Sequence, residues 1–184
     1  MQQFPHAVVS QGRQMFQLCD CGASVGAVIP EQKDQILTIL HVMVGLPGSG
    51  KTTRAKQIAA DTGAVRLTPD DWHLRLFGQD MDDPAHEARH EQIEDIQREL
   101  GFDLLARGVD VILDFGVWSR AEREDLRRRA ALSGAALLLY PCEAPLAELF
   151  ARIQARQNGF AVTMPMLRAW SAVYEPVTAE ELAI

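Results

Sequence analysis

The sequence predicts an α/β fold, an open and mainly parallel sheet of four to five strands with helices on both faces, a three-layer sandwich. Three observations carry this. Short apolar runs of strand length alternate with helical patterns from residue 36 to residue 174. The first run, ILTILHVMV at residues 36–44, is apolar at nearly every position, as a strand covered on both faces must be. The composition, 47% hydrophobic and 23% charged over 184 residues, supports one domain with a buried core and excludes a disordered chain.

Residues 1–35 hold Gly12, Gly22, Gly26 and Pro30 without a sustained period, and are expected to form an irregular N-terminal arm before a domain at residues 36–184. After the first strand, residues 50–60 read as a helix stopped near Gly63. Residues 65–67 form a second strand, and residues 71–77 one short helix before Gly78. Pro84 opens a long helix that Gly108 closes; Ile93, Ile96, Leu100 and Leu104 fall at helical spacing and predict its buried stripe. Residues 109–113 form a third strand ending at Asp114. Ser119 caps the charged helix SRAEREDLRRRAAL, with Gly134 beyond it. Residues 135–140 form a fourth strand. Residues 145–157 form a helix stopped by Asn158 and Gly159, and Thr163 caps a last helix reaching Tyr174. The closing TAEELAI is read as little more than a tail.

Lys and Arg total 18 against 25 Asp and Glu, a net charge of -7. A protein that coats nucleic acid would be basic, so that class is disfavoured. Arg127, Arg128 and Arg129 alternate with Glu122, Glu124 and Asp125, the pattern of a solvated helix, and no extended nucleic-acid surface is expected. The cysteines are Cys19, Cys21 and Cys142. An odd count with one tight pair is no disulfide framework, and a zinc site at Cys19 and Cys21 lacks two further ligands. Free thiols in a reducing cytoplasm follow. No apolar run approaches the ~20 residues of a membrane helix, and the first residues lack the order of a signal peptide.

Gly45-Leu46-Pro47-Gly48-Ser49-Gly50-Lys51-Thr52 fits G-x-x-x-x-G-K-[ST], with a strand running in and a helix running out. Phosphate oxygens are approached best by backbone N–H groups. Gly48 and Gly50 remove side chains and permit the dihedrals this needs, and the helix start adds its positive end. The expected nucleotide contacts are Gly45, Pro47, Gly48, Ser49, Gly50, Lys51, Thr52 and Thr53, with ATP and Mg²⁺ as cofactors. Lys51 would reach the outer phosphates, and the Thr52 hydroxyl would ligate Mg²⁺.

Ligands of open α/β sheets gather at the carboxyl ends of strands. Asp70 and Asp71 follow the second strand in LTPDDW, and Asp114 ends the third in VILDFG. Transfer to a hydroxyl needs a carboxylate to take its proton and cations near the transferred group. Asp70 or Asp71 could take the proton; both also suit a helix start, Asp70 as N-cap. Asp114 could order the metal, orient the acceptor, or be structural. Arg152 and Arg156, four apart, could close over the triphosphate as a lid or form a solvated helix face. Trp72 and Trp118 follow strand ends and either pack or wall an acceptor site.

The segments GLPGSGKTT, TPDDW, VILDFG and ARIQARQ together resemble the small P-loop kinases, a group with the phage polynucleotide kinase domain, the zeta toxins and chloramphenicol phosphotransferase, often labelled an AAA-type ATP-binding domain. The resemblance covers residues 37–176 and implies the P-loop NTPase sandwich. It implies that Asp70 is the general base, that Arg156 is the lid arginine with Arg152 at a second basic position, and that Asp114 contacts the acceptor. The family's arginine three residues after the base falls on His73, with Arg75 nearby. The family's fifth strand, after the last helix, is here lost, replaced by the N-terminal arm, or very short. The implied reaction is Mg²⁺-dependent transfer of the γ-phosphate of ATP to a hydroxyl of a small molecule or nucleotide, with Lys51, Asp70, Arg152 and Arg156 catalytic. The alternative is an ATP-binding regulatory module with little transfer. Neither the acceptor, the choice of ATP over GTP, nor the oligomeric state has a signature in the residues.

His86-Glu87-Ala88-Arg89-His90 also matches H-E-x-x-H, the zinc-hydrolase motif with Glu87 as base. No histidine follows His90, so a third ligand would be a carboxylate or His6, His41 or His73. Otherwise these residues line the acceptor pocket or face water.

Overall fold

The structure, a computed structural model, describes residues 37–156 and 159–183. The arm at residues 1–35, His6, Cys19, Cys21 and the expected helix stop at Asn158 lie outside the described residues.

Four strands, β1 (Thr38–Val44), β2 (Val65–Leu67), β3 (Val111–Leu113) and β4 (Ala135–Pro141), form one sheet in the order β2-β3-β1-β4, every pair parallel. Parallel neighbours need long crossovers, and helices supply them. These are α1 (Lys51–Thr62), α2 (Pro69–Phe77), α3 (His86–Leu105) and α4 (Arg120–Leu132), followed after β4 by α5 (Leu146–Ala155), α6 (Met164–Val173) and α7 (Ala179–Leu182). The expected sandwich is observed.

Residues of β1 alternate between two cores. Leu40, Val42 and Val44 join Leu105, Leu126 and Ala130 of α3 and α4 on one face, while Met43 joins Ala55 and Ile58 of α1 on the other. A third cluster holds Leu46 of the glycine-rich loop against Leu149 and Ile153 of α5 and Leu167 of α6. That cluster ties α5 and α6 to the loop.

Several boundaries shift for local reasons. β3 begins at Val111 because Asp110 serves the sheet entrance instead: its carboxylate accepts from the Ile39 N–H at 2.8 Å and its carbonyl from the Val65 N–H at 2.8 Å. α2 begins at Pro69, with extended Thr68 as N-cap, because proline suits the first helical position. Asp70 is therefore a first-turn residue and not the cap. α3 starts at His86 rather than Pro84, after a turn in which the Asp83 side chain accepts from the Ala85 N–H.

The buried stripe of α3 is not the expected one. Ile93, Gln97, Gly101 and Leu105 face the core, whereas Ile96 and Leu100 are exposed and Leu104 is half-buried. The cause is Gly101. A Cβ there would sit 3.3 Å from Leu67 Cδ1 and 3.4 Å from Val111 Cγ1, so a bare backbone lets the helix lie close on the sheet. That approach turns the row one residue beyond Ile96 and Leu100 inward.

The C-terminal stretch is not a tail. Thr178 and Glu181 form a capping box that starts α7, and Glu181 reaches the almost fully buried Arg123 of α4. Arg123 Nε donates to Glu181 Oε1 at 2.6 Å, and Arg127 donates to the Glu181 carbonyl at 2.7 Å. Among the described residues no fifth strand is present; α7 packs beside β4.

Candidate active site

The glycine-rich loop follows from β1 into α1 with three positive φ angles, 146° at Gly45, 81° at Gly48 and 97° at Gly50. Two of these glycines are also forced by space. A Cβ at Gly45 would meet the Cys142 carbonyl at 2.2 Å, and one at Gly48 the Leu149 carbonyl at 2.6 Å. Gly50 is the N-cap of α1 and provides no side-chain acceptor for the first-turn amides. Ser49 Oγ is buried without a hydrogen-bond partner. Uncapped amides, an orphaned hydroxyl and a helix start are what a phosphate group satisfies, so the loop fits a polyphosphate.

Lys51 Nζ donates to the carbonyls of Gly45 at 2.8 Å and Leu46 at 3.0 Å. Burial lowers its pKa to about 8, opposed by the charges of Asp70 and Asp114 and reinforced by Arg156. The expected lysine is therefore an ammonium held inside the loop, with carboxylates and a lid-side arginine close enough to act on it.

Asp114 lies at the end of β3 with its side chain wholly buried. Thr52 Oγ1 donates to Asp114 Oδ1 at 3.2 Å, and Arg66 Nη1 to Asp114 Oδ2 at 2.5 Å. Burial pushes the carboxyl up, against the pull of Arg66, Thr52 and Lys51. A hydroxyl and a carboxylate side by side beneath the loop are the oxygen donors a hard cation such as Mg²⁺ prefers, so Thr52 and Asp114 fit the metal. Arg66 was not foreseen. It also donates to Asp71 at 3.2 Å, which makes Asp71 a surface partner of β2. Its one signal is an arginine in the middle of a strand only three residues long.

Asp70 is more than half exposed, in the first turn of α2. Arg152 pairs with Glu148, and its Nη1 lies 3.5 Å from the Gly48 carbonyl, against the loop itself. α5 ends at Ala155, so Arg156, four residues after Arg152, is its C-cap at φ −75° and ψ 142°. An open recess of about 520 Å³ beside the start of α1 is lined by Gly50, Thr53, Arg54, Gln57 and Arg152. Trp118 packs on Trp170 at 5.8 Å, within the cluster that joins α5 and α6 to the loop. Trp72 and Arg75 are exposed.

His73 is fully buried and bonds to Asp80 at 2.7 Å, so it does not stand in for the family's arginine. The zinc-hydrolase arrangement is absent among the described residues: Glu87 is exposed, and the three groups close enough to share an ion are His73, Asp80 and His86, without His90. Asp80 was missed in the sequence because a loop brings it between the two helices.

A profile of the AAA domain family matches residues 40–177. No curated protein matches the chain. Among solved structures, a putative kinase from Chloroflexus aurantiacus is 18% identical with a TM-score of 0.57, over 65% of this chain and 66% of that one. A chain of the Pnkp1/Rnl/Hen1 RNA repair complex is 25% identical with a TM-score of 0.60, over 74% of this chain and 43% of that one. A sugar kinase from Janibacter sp. is 21% identical with a TM-score of 0.59, over 80% of this chain and 83% of that one. The chain thus spans less than two thirds of the first two, at 66% and 43% of their lengths.

Proposed function

The chain belongs to the AAA domain family, and from that premise we propose that it is an ATP-dependent kinase that transfers the γ-phosphate to a hydroxyl group. The observation that carries this reading is the convergence at one end of the sheet. A phosphate-fitted loop, the buried Lys51 ammonium, the Thr52–Asp114 pair and the accessible Asp70 carboxylate surround the same point, with Arg152 against the loop.

In this mechanism the loop amides and Lys51 bind the β- and γ-phosphates. Asp70 takes the proton of the acceptor hydroxyl as its oxygen attacks the γ-phosphorus. Arg152 and Arg156 neutralise the charge that spreads over the transferred group. Thr52 and Asp114 would hold Mg²⁺, which would supply further neutralisation of the phosphate oxygens. Arg66 opposes the effect of burial on the Asp114 carboxyl. The catalytic unit is residues 36–184, and we place it in the cytoplasm, where an odd cysteine count suits a reducing medium. Among the described residues no helix is long and apolar enough to cross a membrane.

A small acceptor is favoured over a polymer by the net charge of -7. Similar folds include a sugar kinase and a chain of an RNA repair complex, so polyols, nucleosides and oligonucleotides with 5′-hydroxyl ends form the screen. The expected result is ATP-dependent phosphorylation of one class, abolished in Asp70→Asn while ATP binding persists. Full transfer by that variant would move the base to Asp71 or Asp114. The rival reading, a regulatory ATP-binding module, draws on the Arg66–Asp114 pair, which occupies the acid at the strand end. It predicts nucleotide binding with no acceptor phosphorylated.

A further inference from the structure

Behind Asp70, three imidazoles crowd between α2 and α3. The His73 ring centroid lies 4.5 Å from that of His86 and 5.3 Å from that of His90, with Phe160 edge-on at 5.2 Å. Asp80 Oδ1 accepts from His73 Nε2 at 2.7 Å and from His86 Nδ1 at 2.6 Å, and Oδ2 accepts from Arg89 at 2.8 Å. Burial pushes the Asp80 carboxyl up, but the hydrogen bonds from His86, Arg89 and His73 outweigh it and hold it well below the usual carboxylate range. A carboxylate only accepts, so His73 Nε2 and His86 Nδ1 both carry hydrogens.

The next contact fixes His90. His73 Nδ1 and His90 Nδ1 are 3.3 Å apart, and one of them must donate. When the pair holds no extra proton, His73 already carries its hydrogen on Nε2, so the donor is His90 Nδ1 and His90 Nε2 is bare. When the pair gains a proton, His90 Nε2 carries a hydrogen whichever ring bears the charge. The titrating position is therefore His90 Nε2. That nitrogen lies 3.4 Å from Glu94 Oε1 and 3.7 Å from Asp70 Oδ1.

We propose that His90 Nε2 is the proton acceptor behind Asp70, a positioning residue whose tautomer is set by the chain Asp80–His73–His90. The idea rests on Asp70 being the base. The acceptor O–H bond breaks and its proton goes to the Asp70 carboxylate; the oxygen bonds to the γ-phosphorus, and ADP leaves with the electron pair of the broken bond. A small rotation of the exposed Asp70 then closes the 3.7 Å gap. The proton passes to the lone pair of His90 Nε2, Asp70 returns to its carboxylate, and the imidazolium gives the proton to water.

The groups that face His90 agree with this. They are Asp70 and His73 on α2, Asp80 after it, His86 and Glu94 on α3, and the Phe160 ring. Burial lowers the His90 pKa, and Glu94, Asp70 and Asp80 raise it by more. A metal at His73, Asp80 and His86 would have to displace two N–H groups and sit against the charge that Arg89 already brings to Asp80.

The test uses the full chain. Imidazole nitrogen NMR should find His90 as the Nδ1–H form at high pH, titrating at Nε2, with a lower pKa in Asp70→Asn. His90→Asn keeps a donor toward His73 and removes the titrating nitrogen. It should melt within ~2 °C of wild type, keep its KM for ATP, lose roughly tenfold in kcat, and lose the acidic limb at the His90 pKa. An unmoved His90 titration in Asp70→Asn, or an unchanged pH profile in His90→Asn, overturns the proposal. Zinc bound at unit stoichiometry through these histidines overturns it as well. Full transfer by Asp70→Asn instead overturns the assignment of the base, a different result.

Discussion

Lys51 sits among loop carbonyls rather than in solvent, and burial brings its ammonium down to about 8 from the ordinary 10.5. Phosphates brought to it would raise that value again. The sign follows. Between the free and the bound pKa, nucleotide binding takes up a proton, and affinity weakens as pH climbs past about 8. Calorimetry of ATP binding at pH 8.5, in buffers of low and high ionisation enthalpy, should reveal this uptake, and it should be much smaller at pH 6, where Lys51 is already charged in the free chain. Zero uptake in wild type would mean that Lys51 is already fully charged. The phosphate loop was legible because every part of it is local: the glycines, the lysine and the threonine are neighbours in the chain. Arg66 was not, because its partner Asp114 lies on another strand, and Asp80 and His73 were not, because a loop between two helices brings them together.

At the scale of elements, α3 and α7 teach the same lesson. Gly101 in α3 looks like a helix weakness in the sequence, yet it is the point of closest approach to the sheet. Periodicity alone favoured Ile96 and Leu100, since it counts apolar residues and not bare backbone. Gly101→Leu should destabilise by about 1–3 kcal/mol through overpacking, read from chemical denaturation. A neutral effect would mean that α3 stands off the sheet. α7 was read as a tail because its anchor is tertiary. Hydrogen bonds from Arg123 hold the Glu181 carboxyl down to about 2 from 4.5, against the effect of burial. A carboxyl with a lowered folded pKa contributes stability that is complete above pH 4.5 and lost as pH falls through 2. Glu181→Gln leaves Arg123 buried and unpaired and should cost about 3–5 kcal/mol at neutral pH. Its gap from wild type should narrow as pH approaches 2, and a gap independent of pH would contradict the ion pair.

For the whole molecule, strand order β2-β3-β1-β4 sets the ends of β1, β2 and β3 side by side, and each carries one part of the site. The loop follows β1, Asp114 follows β3, and Asp70 and Asp71 follow β2. The strands and the residues at their ends were legible, since apolar runs separated by glycines mark parallel strands; the order of the strands was not. What covers the site was less legible. α5 ends at Ala155, so Arg156 is its C-cap rather than a helical residue, a boundary that the i, i+4 spacing of Arg152 and Arg156 conceals. The central claim is that this end of the sheet holds a magnesium–nucleotide. Isothermal titration of the folded chain with Mg²⁺–ATP tests it most directly. The account predicts one site per chain, lost in Lys51→Ala; no heat of binding at millimolar nucleotide, or equal affinity in that variant, would contradict it.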